Sequence, residues 1–438
     1  MAVMTIGRAF SRLAQLAPDA VAVRCGDEVL TRAGLERHAS ALASRWVREG
    51  LEPDDVVAVA LPNGVPFVVA CVAAWKAGAC VQPARPDRPV PGRPALVVGP
   101  STSLEAEPGA PPPDLAAAHW KVSPTSGSTG EPRLVWAPAP ARIDPERCVP
   151  EFMPPTGVQL VAGPLGHAAP FTYAMRGLMS GHELVLLPAF EPDAWLAAAE
   201  SHAVTWALVT PSMMRAVLPA LSSPPVPALP ALERVVHLGA RCPEPVKRAW
   251  LDWLGPERVW EVYAGTEAYG LTLVGGREWL EHPGTVGRGI AGTRLRIERA
   301  DGTQAPTGEV GLVMMRRSDD MPWRTQGDLG RLDADGRLHL ADRAADVVRL
   351  GDRDVHPADV EEVLEAHPRV RAAVVVGRDG VLTAVVQPIA PDAVALDGPD
   401  GLLAWCERLP LGLRPAAVVL TDEDLRDELG KARRSRWR

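Results

Sequence analysis

The sequence predicts an α/β protein whose sheets are largely parallel, and two stretches of alternation carry that prediction. Between Ala20 and Val81, short β-branched runs (Val21-Ala22-Val23 and Val56-Val57-Ala58-Val59-Ala60) alternate with Ala/Leu-rich stretches of helical period, Leu35 to Arg48 and Phe67 to Ala77. Between Val204 and Val262 the order repeats: strand Val204 to Val209, a helix after Pro211, strand Val235 to Leu238, a helix from Pro243 to Leu254 and strand Val259 to Val262. Such alternation buries strands beneath crossover helices and so favours parallel pairing. With 438 residues and 47% hydrophobic content, the chain is long enough for two or three domains with sizeable cores.

The remaining elements follow from local pattern. Ile6, Phe10, Leu13 and Leu16 recur at helical spacing and predict an amphipathic first helix. Leu30-Thr31 opens a helix and Leu61-Pro62-Asn63 closes a strand. The most apolar run, Val65 to Trp75, is ended by Lys76 and is too short to span a bilayer, which needs about 20 apolar residues. Prolines and glycines crowd Pro83 to Pro113, which reads as a linker. Gly163 to Phe171 ends a strand and opens a helix. A hairpin is expected from Arg331 to Leu340, turning at Asp333-Ala334-Asp335-Gly336, followed by a helix from Pro357 to Ala366 and strands Val370 to Gly377 and Leu382 to Gln387.

Composition excludes some functions. A formal net charge of -8 gives no whole-chain attraction to nucleic acid or to an anionic membrane, so any anion site must be a local arrangement. Cys25, Cys71, Cys80, Cys148, Cys242 and Cys406 lie far apart, without the close pairs of zinc or redox sites, and read as reduced thiols of a cytoplasmic protein. The amino-terminal residues lack a signal-peptide pattern.

Four short stretches carry chemistry. Thr125-Ser126-Gly127-Ser128-Thr129-Gly130-Glu131-Pro132-Arg133 combines small hydroxyls, glycines and a cation: it suits an anion cradle, and equally a Ser/Gly linker. Tyr263-Ala264-Gly265-Thr266-Glu267 offers a stacking ring, a hydroxyl and a carboxylate able to hold magnesium, although alone it is an ordinary strand-to-loop transition. In Arg324-Thr325-Gln326-Gly327-Asp328-Leu329-Gly330, Asp328 could accept two hydroxyls, or merely form a turn. Leu429-Gly430-Lys431-Ala432-Arg433-Arg434 sets a lysine in a basic tail, where lysines are usually solvated. Ligands of open α/β sheets sit beyond the carboxyl ends of the strands, hence near His167, Gly239 and Tyr263.

In their order and chemistry these stretches resemble the adenylate-forming superfamily of acyl-CoA synthetases, luciferases and adenylation domains. The resemblance covers nearly the whole chain outside the Pro-rich segment. It extends to His237-Leu238-Gly239-Ala240-Arg241-Cys242-Pro243 and Trp279-Leu280-Glu281-His282-Pro283-Gly284-Thr285-Val286-Gly287-Arg288, blocks similar to those of bacterial acid-CoA ligases. It implies a large multi-layer α/β amino-terminal domain, residues 1–341, and a small mobile α+β carboxyl-terminal domain, residues 342–438. It also implies ATP, Mg2+ and coenzyme A as co-substrates and cofactor. Thr125, Ser126, Gly127, Ser128, Thr129, Gly130 and Arg133 would form the phosphate loop, and Gly239, Ala240, Tyr263, Ala264 and Gly265 the nucleotide wall. Asp328 and Arg343 would bind the ribose side, Thr266 the α-phosphate and Glu267 the magnesium. Lys431 would bridge the substrate carboxylate and the α-phosphate. His167 falls at a position that gates the acyl pocket, walled by His167 to Tyr173, His237 to Cys242 and Tyr263 to Tyr269.

Departures from the family pattern bear on what the chain can do. Arg133 stands where lysine is usual, Gln326 replaces a threonine, and Ala345 takes the place of the hinge carboxylate, beside Asp346. Arg433, Arg434, Arg436 and Arg438 suggest either a contact to a coenzyme A phosphate or a disordered tail. The resemblance implies activation of a small-molecule carboxylic acid by a monomer or homodimer with no nucleic-acid or membrane partner. It also implies coenzyme A as the acyl acceptor. The alternatives are a carrier protein, an amine, nitrite chemistry, or a relative that retains nucleotide binding alone.

Overall fold

A computed structural model describes residues 3–125, 133–221, 226–351, 353–389, 398–427 and 430–438. The chain forms two compact units, Met1–Val209 with Pro219–Val236, and Thr210–Leu218 with His237–Arg438.

In the first unit, helices α1 (Ile6–Leu16), α2 (Arg32–Arg48), α3 (Val65–Lys76), α4 (Ala168–Ser180) and α5 (Pro192–Ser201) surround parallel strands. Trp206–Val209, Val158–Val161, Glu183–Leu186 and Val21–Cys25 lie side by side in that order, all parallel, and Glu28–Thr31 adds an antiparallel edge. α3 is apolar on every face and is accordingly buried along its length. Its terminal Lys76 stays inside by pairing with Glu36 at 2.8 Å and donating to Ser11 Oγ at 2.9 Å. Trp75 centres the core, with ring centroids about 6 Å from those of Phe10, Trp120 and Phe171. Two expectations need correction. Leu16 is 68% exposed, because the chain leaves the helix at Ala17 before that position turns inward. The Pro-rich stretch from Pro83 to Pro113 is more than a linker: Leu96–Val98 pairs in parallel with Val56–Val59, and Val98 is fully buried.

The second unit carries α6 (Pro211–Leu221, to Leu218), α7 (Glu244–Leu254), α8 (Gly276–Glu281), α9 (Pro357–Glu365) and α10 (Gly398–Trp405). The strand expected to end at Val262 runs from Val259 to Ala264, and it pairs antiparallel with Leu271–Gly275 instead of continuing the parallel pattern. A four-stranded antiparallel sheet follows: Arg294–Glu298, Gly311–Arg316, Asp328–Leu332 and Leu338–Arg343. Further on, Val370–Arg378, Val381–Pro388 and Ala417–Leu420 form a three-stranded sheet whose two long strands are buried on both faces, while the third strand is an exposed edge. Alternation divides its side chains: Ala373 and Val375 join a core with Val360, Leu364, Leu402 and Cys406, whereas Val374, Val376 and Val385 pack with Leu425, Ala432 and Trp437. The carboxyl-terminal residues therefore complete a core, which corrects the expectation of a disordered tail.

Candidate active site

The candidate residues of the first unit come from two places. Thr125 and Arg133 close the base of a hairpin between strands Val122–Pro124 and Leu134–Trp136: the Thr125 amide donates to the Arg133 carbonyl at 2.8 Å, and the Arg133 amide donates to Thr125 Oγ1 at 3.0 Å. Ser126, Gly127, Ser128, Thr129 and Gly130, expected as the phosphate loop, lie outside the described residues. His167 caps the start of α4. Its approach is set by a residue that the sequence did not single out for chemistry: Asn63 donates to the carbonyls of Gly163 and Leu187 at 3.0 Å each and accepts from the Leu165 amide at 2.8 Å. Tyr173, expected on the acyl pocket wall, packs edge-on against Phe152 at 5.5 Å, and burial pushes its hydroxyl pKa up to about 12.

In the second unit the structure brings together residues far apart in sequence. Asp328 opens one strand and lies directly opposite Arg343, which ends the next. The Tyr263 hydroxyl donates to Asp328 Oδ2 at 2.6 Å, and Arg343 Nε lies 3.3 Å from Asp328 Oδ1. Each carboxylate oxygen has two acceptor sites, so this pairing leaves one on each for a pair of hydroxyls. Burial raises the Asp328 pKa above the ordinary carboxylate value, and the Tyr263 hydrogen bond with the charges of Arg343 and Lys431 acts against that rise. Burial also raises the Tyr263 pKa, helped by the neighbouring Asp328 charge.

Lys431 joins this group. Its pKa is lowered by burial first and by the Arg343 charge next, while Asp427, Glu267 and Asp328 pull it upward. The backbone turn that delivers it is held by Asp427, whose carboxylate accepts from the Lys431 amide at 2.9 Å and whose own amide donates to the Lys431 carbonyl at 2.8 Å. Gly430 occupies φ +80°, a conformation natural to glycine, and a side chain there would press on Ser212 Oγ and touch Ala240. Glu267 and Thr266, both half-buried, lie in a turn closed by the Ala268 amide on the Gly265 carbonyl at 3.1 Å. Ala264 ends the preceding strand. Gly239, at φ +95°, and Ala240 follow strand Arg234–His237.

A buried set of charges links blocks that the resemblance had picked out without assigning them this role. Lys247 on α7 is paired with Glu261, two positions before Tyr263, and stands 4.6 Å over the Trp279 ring. Burial alone would raise the Glu261 pKa, yet the Lys247 charge brings it below the ordinary value. His237 is wholly buried and burial lowers its pKa to about 4, so it is neutral at pH 7.

A family model described as AMP-binding enzyme matches residues 10–93 and 101–322. The chain belongs to the AMP-binding enzyme family. A feruloyl-CoA synthase of Amycolatopsis sp is 30% identical over 475 residues, covering 94% of this chain and 94% of that protein. A 2-succinylbenzoate–CoA ligase of Bacillus cereus is 27% identical over 282 residues, 58% of this chain and 55% of the relative. Among solved structures, the o-succinylbenzoate CoA synthetase of Bacillus subtilis in complex with its acyl-adenylate intermediate superposes with a TM-score of 0.80 at 21% identity, covering 100% of this chain and 99% of the other. The fold of this AMP-binding enzyme is thus that of acyl-CoA synthetases, and the expected α/β class holds.

Two of the tail arginines, Arg434 and Arg438, have partners within the protein. Arg434 bonds both oxygens of Glu361 at 2.7 Å and Asp346 at 3.1 Å, and Arg438 bonds Asp346 at 2.8 Å and the Ala345 carbonyl at 2.9 Å. Arg434 and Arg438 are engaged within the protein and hold the segment where the hinge carboxylate was expected. Among the described residues no group of three or more His, Cys, Asp or Glu forms a metal cage, and no helix is long and apolar enough to cross a membrane. The cysteines are all free thiols.

Proposed function

We propose that this AMP-binding enzyme is an acid-CoA ligase: it activates a carboxylic acid with ATP as an acyl-adenylate, releases pyrophosphate, and passes the acyl group to the thiol of coenzyme A. The observation that carries this reading is the convergence of Tyr263, Asp328, Arg343 and Lys431, with Glu267 beside them, from four separate stretches of chain. Asp328 retains an acceptor site on each oxygen for the ribose hydroxyls, and Arg343 offers a cation beside it. The Lys431 ammonium supplies positive charge where the acid oxygen attacks the α-phosphorus, and Thr266 offers a hydroxyl to the same phosphate. Glu267 is a single, half-buried carboxylate, which suits a magnesium ion that takes its other oxygens from phosphates and water. Bound there, the metal would neutralise charge on the phosphates.

The site as assigned needs no protein nucleophile. The acid carboxylate forms the new P–O bond, pyrophosphate departs with the electron pair, and the thiol later displaces AMP from the activated carbonyl. We assign residues 1–341 to the large domain and residues 342–438 to a small mobile domain that delivers Lys431. A hinge at Ala345 is compatible with rotation, because alanine accepts both backbone states. Free thiols and a need for ATP and coenzyme A support a cytoplasmic enzyme. The names of the relatives, feruloyl and succinylbenzoyl, share an aryl group, and aryl acids lead the substrate class.

The test is pyrophosphate release with Mg-ATP across aryl, acyl, steroid and amino acids, each with and without coenzyme A. Release with aryl acids, with a thioester formed only when coenzyme A is present, is the expected result. Adenylate formation that ignores coenzyme A and instead acylates a carrier protein or an amine would overturn the acceptor, and silence across the panel would overturn the ligase.

A further inference from the structure

The segment that carries Lys431 has cores of its own, and ionic contacts join it to the preceding part of the same unit. Arg215 on α6 lies at the carboxyl end of α9: its guanidinium donates to the carbonyls of Glu365, Val370 and Arg371 at 3.3, 3.4 and 3.2 Å and pairs with Glu365 Oε2 at 3.4 Å. A cation at that end of a helix also meets the negative pole of its dipole. Glu365 is presented for this by its own segment, since Oε1 accepts from Arg426 Nε at 3.1 Å and from the Ala373 amide at 3.0 Å. Arg241 pairs with Glu362 at 2.6 Å and stands 3.8 Å from Asp359, along the exposed side of α9. Asp342 caps the other end, accepting from the Ala358 amide at 2.9 Å.

The residues that flank these arginines also meet the Lys431 turn. Ser212, on the helix of Arg215, and Ala240, next to Arg241, are the side chains nearest a Cβ built at Gly430. One pair of segments thus grips α9 through charge and abuts the turn that places Lys431. We propose that Arg215 and Arg241 are positioning residues, an ionic clasp on α9 that holds Lys431 against Asp328 and Arg343 for the adenylation step; this rests on the ligase reading above. Ion pairs as exposed as that of Arg241 are weak and screened by salt, so the clasp is built to let go.

The test uses the full-length enzyme and charge exchange. Arg241→Glu and Glu362→Arg should each slow pyrophosphate release about tenfold, since a small displacement of a reacting group is costly. Combining them should bring the rate to within about twofold of the parent, because the pair is restored in reverse. Arg215→Ala should slow adenylation at least as much, while ATP affinity, measured by calorimetry, and thioester formation from supplied acyl-adenylate stay at the parental level. Amide hydrogen exchange across residues 357–366 should rise in each single variant and fall again in the charge-swapped pair. Parental adenylation in Arg241→Glu, or a double variant no faster than the singles, overturns the clasp. The exchange arm needs no turnover: if no acid is activated, the ligase reading falls alone, and unchanged exchange in the variants sinks the clasp alone.

Discussion

Lys431 and Arg434 are near neighbours in a basic tail, yet they end in opposite settings. Arg434 closes a buried network: both Glu361 oxygens accept from it at 2.7 Å, Asp346 accepts from it at 3.1 Å, and Glu361 also accepts from the Val375 amide at 2.8 Å. Burial holds the Glu361 carboxyl above its usual range even so, with Arg434 and Arg426 pulling the other way. Lys431 feels the charges of Asp427, Glu267 and Asp328, and of these Asp328 already serves Tyr263 and Arg343 yet retains acceptor sites. Similar charges thus do two jobs. Where a buried carboxylate is covered by cations of the chain itself the cluster holds the fold, and where acceptor capacity is left over the cluster can take a ligand.

The sharpest way to break this contrast is at Lys431. Lys431→Ala should cut the rate of adenylate formation by about 10²–10³, the usual loss when a donor to developing charge is removed, while the enzyme stays folded and binds ATP. Pre-steady-state pyrophosphate release checks it. Arg434→Met should instead act on stability, by roughly 3–5 kcal/mol, because it strands Glu361 with its strongest partner gone. Urea unfolding should show the loss, and Arg434→Met combined with Glu361→Gln should recover most of it.

A smaller effect comes from His237. Its pKa is near 4 in the folded chain, against an ordinary 6.5, so the unfolded state binds more protons between these values. Stability should therefore fall as pH drops from 6.5 towards 4, by up to about 1.4 kcal/mol per pH unit from this residue. His237→Asn should flatten that part of the pH profile in thermal melts.

Much of this was legible in sequence, because β-branched runs and helical periods are local. The strands at Val21, Val56 and Val259, the helices around Phe10, Leu42, Val69, Met213, Trp250 and Val360, and the hairpin turning at Asp333–Gly336 lie within a few residues of the expected places, whereas the helices Pro192–Ser201, Gly276–Glu281 and Gly398–Trp405 are not anticipated. Tyr263, Asp328 and Lys431 were named from short motifs, since a nucleotide demands particular donors in a particular order. What stayed hidden depends on long-range packing. Leu96–Val98 is too short to show a period, and Asn63 and Arg215 act on partners far away in sequence. The tail arginines misled because a basic run shows charge but not the buried acids that take it up.

In the proposed reaction Asp328, steadied by Tyr263 and Arg343, is the residue that grips the nucleotide. Calorimetric titration of Mg-ATP into the parent and Asp328→Asn tests it most directly, with circular dichroism confirming that both are folded. A loss of affinity of about tenfold or more is predicted, since one charged acceptor of the ribose hydroxyls is lost. Equal affinity in the two proteins would contradict the account.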